Sequence, residues 1–114
     1  MSKYLLLYMS AISPEEQIAN ASPEEGQAGM EAWMSWANRA GSAVVDLGSP
    51  IGASGTVGAS GAGGGSRSGY VGGYSIMQAE SAEALRDLLA DHPHLQLEGS
   101  TIEYFEFLDL PGGP

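Results

Sequence analysis

Both histidines of the chain fall in Asp91-His92-Pro93-His94, two residues apart across a proline. Imidazole changes charge near neutrality, so this segment is the first place to look for a general acid or base. Around a proline in an extended turn, residues i and i+2 point to different sides. One histidine is therefore expected to reach a pocket while the other stays in solvent. His94 is favoured for the pocket, because His92 stands at a helix end where it can cap carbonyls and meet the helix dipole. The structural alternative has one histidine capping a proline-terminated helix and the other packing on a strand. Asp46, set between Val45 and Leu47, is the second candidate. Turned inward it needs a partner and can orient a histidine as a carboxylate–imidazole pair; turned outward it is a solvated edge acid.

Two imidazoles with Asp46 or Asp91 also make a plausible ligand set for a divalent metal, but the His-Pro-His spacing does not suit one helix face. No metal and no other cofactor is expected. The serines sit in caps and loops without a nucleophile elbow, and with no cysteine there is neither a thiol nucleophile nor a disulfide. Four residues are candidates for ligand contact. Tyr70 and Tyr74 can donate to a carbonyl or phenol if they face a pocket, and otherwise pack on their strand. Arg67 is the one cation of a glycine-rich stretch and can close over an anion, or stay solvated. Trp36 lies off the apolar stripe of its helix, which suits a pocket rim or a dimer contact.

The elements that must position these residues follow from periodicity and punctuation. Tyr4–Met9 is a continuous apolar run, the pattern of a buried strand. Ser13-Pro-Glu-Glu16 and Ser22-Pro-Glu-Glu25 repeat one helix-start signal: Ser at the N-cap, Pro at the first helical position, Glu three residues after the cap. They predict a short helix and then a main helix over Pro23–Ala40, ended by Gly41, with Met30, Trp33, Met34 and Ala37 as its buried stripe. Ala43–Leu47 reads as a second strand, stopped at Gly48-Ser49-Pro50. Gly, Ser and Ala dominate the segment from there to Gly69, so a mobile loop is expected at about 48–69, with a weak strand at Gly55–Ala59. Gly61–Gly65 lacks the lysine of a phosphate-binding loop and the strand and helix that frame one.

Tyr70–Ala79 resumes strand alternation, and Gly72-Gly73 permits a bulge or a close backbone approach. Ser81 caps a further helix whose Leu85, Leu88 and Leu89 face the sheet, with Pro93 as its end. Thr101–Phe107 alternates as a last strand. The order β-α-β-β-α-β is that of an α+β, ferredoxin-like plait, an antiparallel sheet with two main helices on one face. A bare opposite face predicts a homodimer in which two sheets pack together, closing into a barrel-like assembly.

The 114 residues suit a single domain spanning 1–114. The formal charge of −10 comes from 14 acids against four cations, which leaves no basic patch for nucleic acid or an anionic membrane surface. The apolar N-terminal run is too short for a signal peptide or a membrane span, so a cytoplasmic location is expected.

Five segments stand in order along the chain: Lys3-Tyr-Leu-Leu-Leu-Tyr8, Met30-Glu-Ala-Trp-Met-Ser-Trp36, Ala43-Val-Val-Asp-Leu-Gly-Ser-Pro50, Gly73-Tyr-Ser-Ile76, and Asp91-His-Pro-His-Leu95 leading to Ile102-Glu103. In these the chain resembles the YCII-related family of small dimeric α/β-barrel proteins. The resemblance implies a ferredoxin-like subunit, a homodimer and a pocket of His/Asp type. The Asp-Gly-Pro-Phe segment of another branch of that family is absent, with Ser66–Gly73 in its place, so no role attached to it carries over.

Three functions remain open at this point. One is a homodimer binding a small molecule between sheet and helices. The second is a cofactor-independent enzyme with a histidine acid/base acting on a small carbonyl or aromatic substrate, by analogy of fold with monooxygenases and lactone isomerases on dimeric barrels. The third is a dimeric interaction protein without a ligand.

Overall fold

The computed structural model describes residues 1–58, 61–62 and 69–109. Strand β1 (Ser2–Ser10) leads through helix α1 (Pro14–Asn20) to helix α2 (Pro23–Ala40). The two Ser-Pro-Glu-Glu signals start these helices as their chemistry requires. Ser13 Oγ accepts from Glu16 N–H and Ser22 Oγ from Glu25 N–H, each at 3.1 Å, and Glu25 Oε1 accepts Ser22 N–H to complete a capping box. Strand β2 (Val44–Pro50), a two-residue hairpin of β3 (Val57–Gly58) with β4 (Gly61–Ala62), strand β5 (Tyr70–Ala79), helix α3 (Ala82–Leu89) and strand β6 (Thr101–Glu106) come next.

The main sheet runs β2-β5-β1-β6 with every neighbour antiparallel. Joined as β-α-β-β-α-β, this is the ferredoxin-like arrangement of the α+β class. Alternation along the two central strands assigns the faces. Tyr4, Leu6, Met77 and Ala79 pack on Trp36 of α2 and on Leu85 and Leu89 of α3, with Leu88 against the same cluster. The partners Leu5, Ile76 and Phe105 share the opposite face. The shortest dimension of the molecule, 19 Å, is that of one sheet and one helix layer, since packed layers lie about 10 Å apart.

The structure corrects several expectations. The buried stripe of α2 is Trp36 with Ala37 and Ala40, while Met30 and Met34 are 63% and 43% exposed. The i, i+3, i+4, i+7 pattern is real but begins three residues later, at Trp33, a rotation of about 60°. Trp36 is therefore core: its indole N–H donates to Leu88 O (3.0 Å) and ties α2 to α3.

Strand β2 does not stop at Leu47. Gly48 adopts φ +82°, Asp46 Oδ1 accepts its N–H (2.9 Å), and the extra residue is absorbed as a bulge. Ser49 and Pro50 then still pair with Tyr74 and Gly73, and Ile51 N–H bonds Gly72 O. The loop expected at about 48–69 thus begins after β2. Within it, the weak strand expected at Gly55–Ala59 narrows to Val57–Gly58, and residues 59–60 and 63–68 lie outside the described ones.

Finally, α3 ends at Leu89, four residues before Pro93. The proline instead opens a separate 3-10 turn, Pro93–Gln96, with His92 as its N-cap.

Candidate functional site

A cleft of about 400 Å³ opens between α2 and the end of the sheet where β1 leaves for α1. Its position arises from two local features. Gly72 is an extra residue in β5 opposite the Tyr8/Met9 junction, so the strands splay there. Gly73, whose absent side chain would meet Ser49 O at 3.1 Å and Tyr8 at 3.6 Å, lets β2 and Tyr8 close over bare backbone. Met30, Trp33 and Met34 form the helix wall, and Tyr8, Leu47 and Pro50 belong to the sheet wall. His94 and Leu97 close one side, and Ser10 and Gln17 stand at the α1 side.

His94 is held at one nitrogen. Its Nε2 lies 2.8 Å from Met9 O and 3.1 Å from Thr101 O, spanning the ends of β1 and β6. Carbonyls only accept, so Nε2 carries a proton and donates to both, and in the neutral ring Nδ1 keeps a free lone pair. Among the described residues Nδ1 has no hydrogen-bond partner, and it is not sealed from solvent.

His92 is in neither of the places expected for it. It is fully buried, and it caps the turn after it rather than the helix before it: Nδ1 accepts His94 N–H at 3.0 Å. The neutral ring must then carry its proton on Nε2, which is buried and, among the described residues, has no hydrogen-bond partner. Aromatic rings enclose it, with centroids of Trp36, Trp33 and Tyr8 at 4.3, 4.5 and 5.1 Å. Their π faces can act as soft acceptors. Burial, and next the charge of His94, lower the His92 pKa to about 4, against a smaller opposing pull from Asp91.

Tyr8 links the cleft to the core. Its hydroxyl is 2.8 Å from Ser75 Oγ, which is 2.6 Å from Leu47 O. The carbonyl end fixes the direction of the chain: Ser75 donates to Leu47 O, and Tyr8 donates to Ser75. Burial pushes the Tyr8 phenol above its ordinary value, with the Ser75 bond offsetting part of the rise. The ring meets Trp33 edge to face at 4.8 Å and His94 at 5.4 Å.

The other residues singled out from sequence are dispersed. Asp46 is exposed, pairs with Ile76 on the face turned from the helices, and bonds Gly48 N–H rather than an imidazole. The carboxylate–imidazole pair does not form, because a register shift between Val44 and Asp46 carries the acid to the wrong face. Tyr74 belongs to the cleft wall, yet it pairs with Leu7 on that same outer face, so its backbone is what faces the cleft. Tyr70 is 47% exposed beside Ser10 and outside the wall, Trp36 lies beneath His92, and Arg67 lies outside the described residues.

Sequence reasoning missed Tyr8, Ser10 and Gln17 and favoured the core over a ligand contact for Trp33. One signal was present: a tyrosine hydroxyl inside an otherwise buried apolar strand must find a polar partner. Among the described residues no three His, Asp or Glu side chains converge as a metal site, and no helix is long and apolar enough to cross a membrane.

No family model matches the chain, and no curated protein does. Among solved structures it is similar to 5-chloro-2-hydroxyhydroquinone dehydrochlorinase from Burkholderia phenoliruptrix, solved in complex with 2,5-dihydroxybenzoquinone. The identity is 19% over 90% of this chain and 91% of that one, with a TM-score of 0.46, a likeness too loose to bear on function.

Proposed function

We propose that the chain is a YCII-related homodimer that binds a small, largely apolar molecule in the cleft between α2 and the sheet. The observation that carries this reading is the cleft itself. It is of ligand size, walled by Met, Trp, Leu and Pro side chains, with Tyr8, Ser10 and His94 as a few polar groups. Methionine beside tryptophan gives an adaptable surface suited to a flat ring. The YCII reading is supported by the order of its segments along a βαββαβ chain. The dimer reading is supported by the uncovered sheet face, where Phe105 and Phe107 are each about half exposed.

A second reading makes the protein an enzyme, with His94 as the base. One observation favours it: Nε2 is anchored by two carbonyls, so the ring is oriented and any proton it takes up goes to Nδ1.

Gly29 supplies the test. It lines the cleft from α2, and a Cβ added there meets nothing within 4 Å. Gly29→Leu should fill the cleft while keeping or raising helix stability. Calorimetric binding of neutral aromatic fragments is expected for the native protein and lost in the variant. Equal binding by both proteins would place the ligand elsewhere. Sedimentation velocity checks the dimer: a Phe105→Asp chain should run as a monomer where the native chain runs as a dimer.

A further inference from the structure

We propose that the ligand this cleft selects is a neutral aromatic hydroxyl, a phenol, whose O–H donates to His94 Nδ1. This deepens the binding reading and rests on it.

Hydrogen-bond polarity makes the selection. The protons of His94 and Tyr8, whose rings meet in the cleft wall, are already spent. The His94 Nε2–H points at the Met9 and Thr101 carbonyls, and the Tyr8 O–H is committed to Ser75, whose own proton is committed to Leu47 O. The three carbonyls can only accept, and Ser75 has its single proton on Leu47 O, so the direction of each bond is fixed. What His94 and Tyr8 can offer a ligand is therefore a lone pair or a ring face. Their ring centroids stand 5.4 Å apart, within the span of one small molecule.

Three ligand classes separate on this basis. A carboxylate brings only acceptors to a wall that holds no Lys or Arg among the described residues, so it would be desolvated without a counter-charge. A ketone or quinone carbonyl needs a donor, which among the described wall side chains only Ser10, Gln17 and Trp33 on the α1 and α2 side could supply, with Gln17 Nε2 already turned to Ser10 Oγ; beside His94 and Tyr8 it finds none. A phenol supplies the missing proton to Nδ1 and lays its ring among Trp33, Tyr8 and the methionines. An unmet acceptor facing a ligand that lacks a donor costs affinity, and the same logic rejects the methyl ether of a phenol.

The test uses the native protein and four ligands of one ring system: naphthol, methoxynaphthalene, acetylnaphthalene and naphthoate. Affinities come from calorimetry, and nitrogen NMR of the imidazoles reports on Nδ1. Naphthol should bind about tenfold tighter than its methyl ether, with the ketone and the carboxylate no tighter than the ether. The His94 Nδ1 resonance should move with naphthol and stay with the ether. Equal affinity for naphthol and its ether, or tightest binding of the ketone or carboxylate, overturns the polarity argument while leaving the cleft as a binding site. Binding of none of the four overturns the binding reading as well.

Discussion

Burial of His92 makes a quantitative claim about acid stability. In the folded chain the ring is 0% exposed, and its pKa is lowered from 6.5 to about 4. An unfolded chain returns the imidazole to its ordinary value, so below that value the unfolded state binds the extra proton. Stability must therefore fall as pH drops from the unfolded value toward the folded one, and level off below it. At 1.36 kcal/mol per unit the full effect is about 3 kcal/mol, of which about 2.5 is developed between pH 7 and about pH 4.5.

His92→Phe keeps an aromatic ring among Trp33, Trp36 and Tyr8 but cannot titrate. It also loses the acceptor for His94 N–H, a cost that does not vary with pH. Urea denaturation of both proteins at the two pH values isolates the histidine, because the acids common to both cancel in the difference. The stability gap between native and variant should move by about 2.5 kcal/mol in the variant's favour on acidification. A gap that stays constant would mean that the His92 ring is solvated in the folded state, and its enclosure by the three aromatic rings would be wrong.

Two further substitutions probe the strand that forms the sheet wall. Gly48→Ala places a Cβ 1.7 Å from Tyr74 O at a positive φ, and should cost about 3 kcal/mol in chemical denaturation. A neutral result would mean that β2 does not meet β5 through this bulge. Asp46→Asn retains an oxygen for Gly48 N–H, so it should cost no more than about 1 kcal/mol and leave the His92 titration followed by NMR unmoved. A displaced titration would restore the acid–imidazole pair that the register rules out.

What could be seen in the sequence was local. The Ser-Pro-Glu-Glu caps act within three residues, so both helix starts were legible, as were the span of α2 and the alternation of β5. The same holds for the fold class, because the order of elements fixes it almost alone. The cleft was not legible, because its parts meet only through long-range choices. Trp33 and Trp36 are equally apolar, and the stripe of α2 that turns inward is decided by the Trp36 indole finding Leu88 O 52 residues away. His92 looks like a solvent-facing cap until Tyr8 and the two tryptophans converge on it. Asp46 could turn inward or outward as far as its neighbours in the sequence say, and bulges that no propensity marks turn it out.

The central claim is that the cleft beside His94 is the binding site. The direct test is a naphthol titration of nitrogen-15-labelled native protein, followed by amide, indole and imidazole resonances. The account predicts that perturbations concentrate at Gly48, Gly73, the Trp33 indole and His94, and spare Ile76 and Phe105 on the far sheet face. Perturbations gathered on that far face, or an unchanged spectrum at saturating ligand, would contradict it.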